Sequence, residues 1–225
     1  MRKWNALKET ETKETEIKDT EWKETGRIEA FSDGVFAVAI TLLVLDLHVP
    51  ALDKLPAGGL AHALFALWPT VGAYGVSFVT ILIMWLNHHR LFEQIQRKDH
   101  ALQLLNGLLL ILVTLIPFPT SLVAEYVRTP YAQVALAVYC GLNFLMACAF
   151  NLLWSHASRG GRLLGDKYDQ HRVQHITAQY RLGPLLYAVT VGLAFINVII
   201  CCVAVAALAI FFALPEHLLT QPATK

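Results

Sequence analysis

The sequence predicts an all-α membrane protein with six transmembrane helices in each subunit. Of its 225 residues, 56% are hydrophobic and only 16% are charged, whereas soluble domains carry about 25% charged residues. The apolar residues also lie in long blocks, not in the one-sided stripes of a soluble amphipathic helix. The basic residues flank these blocks. Together these features predict a multi-pass helical protein.

The positions of the spans follow from the apolar blocks and the residues that interrupt them. Proline stops the first block at Pro50 and interrupts the second and third at Pro69, Pro117 and Pro119. The last block, residues 182–214, would form a helix of about 50 Å, too long for one crossing. A hairpin turning near Ile196 and Asn197 is therefore predicted. The six predicted spans are residues 30–47, 62–86, 102–124, 131–154, 182–196 and 198–214.

The basic residues predict the orientation of these spans. With both termini in the cytoplasm, 16 of the 18 Lys and Arg residues lie on the cytoplasmic side, and only Lys54 and Arg128 lie outside. A bias of this size fits the positive-inside rule. The sequence thus predicts a multi-pass protein of the cell (inner) membrane with cytoplasmic N- and C-termini.

The two ends of the chain differ from this six-span domain, which is assigned to residues 26–215. Residues 1–25 repeat a Lys-Glu-Thr theme with scarcely any apolar content, so they cannot bury enough surface to offset their ordering entropy. We expect a charged, low-complexity cytoplasmic tail without chemistry. Residues 216–225 are assigned to a short cytoplasmic C-terminal tail.

Several functional classes find no support in the sequence. Motifs of hydrolases, zinc proteases and nucleotide-binding loops are missing, so enzymatic activity and a cofactor are not expected. The basic residues form no groove-sized patch, which argues against a nucleic-acid partner. His88 and His89 near Glu93 resemble a metal site, but adjacent residues do not share a helix face, and no metal is expected. The four cysteines lie inside apolar segments and are interpreted as small buried hydrophobes.

One stretch resembles the selectivity filter of ordinary potassium channels. Residues 70–75 read Thr-Val-Gly-Ala-Tyr-Gly, which is TVGYG with an additional alanine. That filter requires a non-helical loop whose carbonyl groups face the pore. Here the stretch continues without a break into the apolar residues 76–86. We interpret its small residues as sites of close helix packing.

The first span carries a stripe of residues that share one helix face. At about 100° per residue, Val38, Thr41, Leu42 and Leu45 form this stripe. Composition alone favours a lipid-facing or core role for it. Asp33 lies about 140° away from Val38 on this helix and is predicted to point into the bundle. A carboxylate inside a span is costly, so Asp33 is expected to have a partner.

The same span carries a motif that resembles a known family. Arg27, Phe31, Ser32 and Asp33, followed by Gly-Val-Phe-Ala-Val-Ala-Ile-Thr, closely resemble the signature first helix of the transmembrane protein 175 family. That family comprises the lysosomal potassium channel of animals and smaller bacterial relatives. The six-span count extends the resemblance, as do Trp85, His88 and Asn106. The animal proteins are similar to two such repeats, so this chain resembles the homotetrameric prokaryotic type.

This resemblance implies a potassium-selective, non-voltage-gated channel without a TVGYG filter. Four first helices would line a central pore, with Val38 at the hydrophobic constriction, Thr41 in the adjacent hydroxyl layer, and Leu42 and Leu45 in further narrow layers. An apolar ring gates by dewetting and obliges an ion to shed water. Val38 departs from the usual Ile or Leu, so we expect modest selectivity. The implied partners are further copies of the chain, membrane lipids and the permeant potassium ion.

The remaining motif residues receive a structural role from the resemblance. Arg27, Ser32 and Asp33 are expected to bond to polar residues of the second and third spans. The candidates in this sequence are Trp85, His88 and Asn106. Such a network would offset the cost of burying the Asp33 carboxylate and fix the rotation of the first helix.

Two other functions remain open from the sequence. One is a proton- or cation-coupled transporter in which Asp33 and His88 form a titrating relay. The absence of an obvious inverted repeat argues against it. The other is a non-conducting membrane scaffold, which would form oligomers without ion flux.

Overall fold

The computed structural model describes residues 25–56, 58–165 and 168–213. Within these residues the regular structure is helical, and one isolated β-bridge joins Ile95 to Leu164. The predicted C-terminal tail lies outside the described residues. So does the predicted N-terminal tail, except for Thr25.

Eight α-helices follow one another within the residues that the structure describes. The first, α1, covers residues 25–42 and continues into a 3-10 turn, Leu43–Asp46. Two further 3-10 turns are Leu52–Lys54 and Arg159–Gly161. The other helices are α2 (Gly59–Ala66), α3 (Trp68–Gln94), α4 (His100–Thr114), α5 (Pro117–Tyr126), α6 (Ala132–Ser158), α7 (Gln170–Ile196) and α8 (Val198–Ala213).

Four segments are long and apolar enough to cross a membrane, which makes the described chain a multi-pass membrane protein. The third combines α4 and α5, which are separated just before Pro117. Proline lacks the N–H group that a continuous helix needs, whereas the first turn of a new helix tolerates it. The four segments are Thr25–Asp46, Trp68–Gln94, His100–Tyr126 and Ala132–Gly161.

The second predicted span differs from the observed helices. The sequence predicts one helix from residue 62 to residue 86, whereas α2 ends at Ala66 and α3 begins at Trp68. Pro69 lies in the first turn of α3, where its missing N–H group costs no hydrogen bond. The filter-like stretch, residues 70–75, is helical and lies inside α3. It therefore does not form the extended loop of a carbonyl filter.

The last two helices are separated by one residue. Asn197 has an extended backbone, and its Oδ1 accepts hydrogen bonds from Ile199 N at 2.9 Å and Ile200 N at 3.1 Å. These bonds cap the first turn of α8. The polar first part of α7 was not predicted as helix. It begins at Gln170, where Asp169 Oδ1 accepts a 2.9 Å hydrogen bond from His171 N.

The core is built mainly from α1, α3, α4 and α6. One core cluster includes these four fully buried side chains: Phe36, Leu43, Leu109 and Trp154. A smaller cluster joins α6 to α8 through Cys140 and Cys201, whose sulfur atoms lie 3.5 Å apart. Cys202 is exposed, contrary to the expectation of burial. The buried face of α1 fixes which residues of that helix remain uncovered.

Candidate functional site

One face of α1 is uncovered in the single chain. Val38 is 55% exposed and Leu45 66% exposed, and Leu42 and Thr41 are exposed with them. The opposite face is packed into the core, where Phe36 is 1% exposed. A 3-10 turn repeats every three residues, so Leu45 lies in line with Leu42 although the α-helix ends at residue 42. The four predicted residues therefore lie along one exposed line.

Thr41 adds oxygen to this otherwise apolar face. Its Oγ1 donates a 2.8 Å hydrogen bond to the Val38 carbonyl oxygen. The hydroxyl hydrogen is thereby used within the helix, while the lone pairs of Oγ1 are still able to accept or to contact a cation. Thr41 thus presents an oriented hydroxyl oxygen beside Val38.

On the other side of α1, Ser32 begins a buried chain of hydrogen bonds. Ser32 Oγ donates to the Ile28 carbonyl oxygen at 2.8 Å and accepts from Asn106 Nδ2 at 3.0 Å. Asn106 Oδ1 lies 2.9 Å from His88 Nε2. All three side chains are buried. The chain Ser32–Asn106–His88 therefore joins α1 to α4 and α3.

Asp33 forms a separate contact with α3. Trp85 Nε1 donates a 2.7 Å hydrogen bond to Asp33 Oδ1, and the indole stacks on His89 with ring centroids 6.1 Å apart. Asp33 is exposed in the single chain, which differs from the burial predicted by sequence. Around the helix Asp33 lies about 140° from Val38, and Trp85 contacts it from α3.

Arg27 and Phe31 do not join these hydrogen bonds. Phe31 is exposed, and both residues line an open cavity of about 500 Å³ together with Lys98 and Gln103. Among the described residues, no hydrogen bond joins Arg27 to Ser32 or Asp33 or to their partners. The prediction that Arg27 bonds to the second and third spans is not what the structure shows. The Arg27 side chain is exposed instead.

The two adjacent histidines point in different directions. His88 faces Asn106 in the interior, whereas His89 Nε2 lies 3.6 Å from Glu93 Oε1 on the surface. Within the part of the chain that the structure describes, no group of three or more His, Cys, Asp or Glu side chains is placed to hold a metal ion.

Three supporting contacts were not found by sequence reasoning. The His88 ring stacks on Phe92 with centroids 4.5 Å apart and packs against Phe36 at 5.5 Å. At the far end of α1, Ser121 Oγ donates a 2.6 Å hydrogen bond to Asp46 Oδ2. The sequence offered two signals for these contacts: the spacing of four residues between His88 and Phe92, and the acid at the end of the first span.

Comparison with known proteins decides the family. The family model described as the endosomal/lysosomal potassium channel TMEM175 matches residues 27–117. A potassium channel of Chamaesiphon minutus is 52% identical over 192 residues, which cover 85% of this chain and 95% of that protein. The chain belongs to the TMEM175 family. The resemblance seen in the motif around Asp33 is thereby confirmed.

Other TMEM175 relatives carry names of two kinds. A potassium channel of Streptomyces collinus is 50% identical over 173 residues, covering 76% of this chain and 83% of that protein. The human endosomal/lysosomal proton channel TMEM175 is 35% identical over 138 residues, covering 58% of this chain and 27% of the human protein. These relatives are ion channels, so the family is one of channels and not of enzymes.

Solved TMEM175 structures share the fold. The crystal structure of a lysosomal potassium-selective channel TMEM175 homolog from Chamaesiphon minutus superposes with a TM-score of 0.78 at 50% identity, covering 85% of this chain and 97% of that one. A variant of the potassium channel MtTMEM175 superposes with a TM-score of 0.59 at 19% identity, covering 83% and 89%. The second likeness concerns the fold alone.

Proposed function

We propose that this chain forms a potassium-selective channel, a homotetramer in which four copies of α1 surround a central pore. The observation that carries the proposal is the exposed line formed by Val38, Thr41, Leu42 and Leu45 on a helix whose opposite face is packed into the core. An apolar helix face left open by a single chain needs a covering. Four copies around an axis would supply it, and the named potassium channels among the relatives support this reading.

The mechanism follows from rings of identical side chains. A ring of four Val38 side chains excludes water when narrow, so an ion crosses only by shedding part of its hydration shell. Potassium loses water more readily than sodium, which favours potassium. The adjacent Thr41 oxygens compensate the partly stripped ion. Leu42 and Leu45 extend the narrow passage. Valine is shorter than the Ile or Leu expected at the constriction, so selectivity is expected to be modest.

The polar contacts behind α1 act as positioning groups. The Ser32–Asn106–His88 chain holds α1 against α4 and α3. The Trp85–Asp33 bond holds α1 against α3 from a second direction. Two bonds on different sides of a helix resist its rotation about its axis. Rotation by one residue would move Val38 about 100° away from the pore axis. The network therefore supports the pore without contacting the ion.

The geometry speaks against the transporter alternative. A titrating relay needs Asp33 and His88 within proton-transfer reach of one another. Instead, Asp33 bonds to Trp85 and His88 bonds to Asn106. The two groups belong to separate hydrogen-bonded sets, which favours a passive pore.

The proposed topology has six spans and two cytoplasmic termini in the cell (inner) membrane. The four long apolar segments supply the first four spans. The apolar part of α7 and the 16 residues of α8 supply the fifth and sixth, separated at Asn197. The excess of basic residues on the proposed cytoplasmic side supports this arrangement.

A flux assay on purified protein in liposomes tests the function. Under matched potassium and sodium gradients, the wild type should pass potassium faster. Val38→Ala should raise flux or lower selectivity, and Val38→Trp should block it. Val134→Trp is the matched control, because Val134 is an equally exposed valine, 60% exposed, on α6. No flux of either ion from intact oligomers would contradict the channel and favour the scaffold.

A further inference from the structure

A cavity with an unpaired buried acceptor lies inside the single subunit, away from the α1 face. It measures about 50 Å³ and lies between α3, α6, α7 and α8. Its walls are mostly apolar and include Met84, Met146, Phe150 and Phe212. Asn143 on α6 also lines it, and the Asn143 side chain is only 3% exposed.

The amide of Asn143 is only half satisfied. Its Nδ2 donates a 2.9 Å hydrogen bond to the Tyr139 carbonyl oxygen, but its Oδ1 has no partner. The carbonyl oxygen is an acceptor, so the amide nitrogen must face it and the amide cannot be turned around. An unpaired acceptor at this depth of a membrane protein is costly, because lipid offers it no donor.

Two neighbouring hydroxyl groups donate elsewhere. Thr80 Oγ1, in the cavity wall, donates to the Val76 carbonyl oxygen at 2.8 Å. Tyr180 OH donates to the Asn87 carbonyl oxygen at 3.4 Å. No hydrogen bond within the described residues reaches Asn143 Oδ1, so a donor on a bound guest would satisfy it.

We propose that this cavity is a binding site for one small, uncharged, hydroxyl-bearing molecule, a short alcohol or water, that donates to Asn143 Oδ1. A charged guest is excluded, because no opposite charge lines the cavity. The volume suits a small guest: a cavity of about 150 Å³ holds benzene, so this partly open cavity of about 50 Å³ suits roughly two or three non-hydrogen atoms. The methyl group of ethanol would contact the methionine and phenylalanine side chains. The site is independent of the ion pathway proposed above.

Two methionines make the site measurable, because Met84 and Met146 both line the cavity. Protein labelled with ¹³C at the methionine methyl groups, in nanodiscs of deuterated lipid, is titrated with ethanol. We expect saturable shifts of the Met84 and Met146 signals and nuclear Overhauser effects from ethanol protons.

Two variants and one control test the geometry. Asn143→Leu should raise the half-saturating ethanol concentration at least about fivefold through loss of the acceptor. Gly183→Ala should weaken binding by narrowing the cavity, since a Cβ there lies 3.7 Å from both Ala147 Cβ and Phe212 Cζ and causes no clash. Gly192→Ala is the matched control on α7, where an added Cβ meets nothing within 4 Å. It should bind ethanol like the wild type.

The outcomes separate the two guests and can overturn the site. Ethanol contacts that vanish in Asn143→Leu identify an alcohol site. Contacts from water protons to the two methyl groups, with no ethanol effect, identify water as the guest. The absence of both kinds of contact would refute the proposal. Ethanol binding that is unchanged by both Asn143→Leu and Gly183→Ala would also refute it. Because Gly183→Ala adds only one methyl group, the test stands even if Asn143→Leu fails to fold.

Discussion

His88 donates its Nε2 hydrogen to Asn106 Oδ1 across 2.9 Å, and the remaining bonds of the network determine this direction. Ser32 Oγ uses its hydrogen on the Ile28 carbonyl oxygen. It must therefore accept from Asn106 Nδ2, which turns Asn106 Oδ1 toward the imidazole. The result is a one-way chain of donors from α3 through α4 to α1. Within this chain of hydrogen bonds, Asn106 links the side chain of His88 to that of Ser32.

Asn106→Leu should destabilise the protein more than a surface change on the same helix. It leaves the His88 N–H group buried without a partner, at a cost of about 1–3 kcal/mol. The thermal unfolding midpoint, measured by intrinsic fluorescence in detergent, should fall. Gln103→Leu is the control, because Gln103 is an exposed amide one turn earlier on α4. Equal midpoints for the two variants would show that the chain does not stabilise the bundle.

Asp33 should matter for assembly more than for ion choice. Asp33→Ala removes the acceptor for Trp85 Nε1, whereas Asp33→Asn retains an amide oxygen in its place. We expect Asp33→Ala to lower the yield of assembled oligomer in size-exclusion chromatography, and Asp33→Asn to lower it less. Trp85→Phe should reproduce the alanine defect. A variant Asp33→Ala that assembles normally and differs only in its potassium-to-sodium flux ratio would refute the positioning role.

Much of this architecture could be predicted from local signals, and the errors have physical causes. Apolar block length predicted the membrane class, and helical spacing selected the line from Val38 to Leu45. The resemblance offered Trp85, His88 and Asn106 as candidate partners for the motif residues, and the pairing of Asp33 with Trp85 came from the structure. The predicted burial of Asp33 is wrong for a single chain. The periodicity of one helix does not show which of its faces are covered by other helices or by other subunits.

Other features depend on contacts that a sequence does not display. The first half of α7 is polar, so its helix was not predicted, although Asp169 is the capping residue that begins it. The unpaired Oδ1 of Asn143 depends on where the donors of three other helices point. Such arrangements are properties of packing and have no sequence period.

Asp99 should contribute to stability in a pH-dependent way. The Leu102 backbone N–H group, donating at 2.7 Å, holds the pKa of the Asp99 carboxyl below its usual range, and His156 and Arg162 add to this effect. Because the carboxyl pKa is lower in the folded state, the charged Asp99 stabilises the fold at pH values above its unfolded pKa of about 4. This stabilisation is lost as the pH falls through the folded pKa. Asp99→Asn should therefore lower the unfolding midpoint at pH 7, with the difference shrinking toward pH 3.

The comparison with another acid isolates this contribution. Glu125→Gln removes an exposed carboxylate of α5 and should leave the midpoint at pH 7 nearly unchanged. Midpoints are measured from pH 3 to pH 7 by fluorescence. If the gap between wild type and Asp99→Asn stays constant over this range, the charged form of Asp99 is not the source of the stabilisation.

The six-span topology predicts which positions a membrane-impermeant thiol reagent reaches in intact cells. In a Cys202→Ser background, Ala51→Cys and Pro130→Cys should react from outside, since both native side chains are exposed. Arg159→Cys and Thr224→Cys should react only after permeabilisation. A Thr224→Cys variant labelled from outside, with Arg159→Cys still protected, would indicate five spans in place of six.

The most direct test of the central claim is block of Val38→Cys by a methanethiosulfonate reagent during potassium flux. Val38 should face the permeating ion, so a bulky adduct on four cysteines around one axis should abolish flux, and a reducing agent should restore it. Val134→Cys and the wild type, which carries four native cysteines, control for modification elsewhere. Loss and recovery of flux in Val38→Cys alone is the predicted result. Full modification of Val38→Cys with undiminished flux would contradict the placement of α1 around the pore.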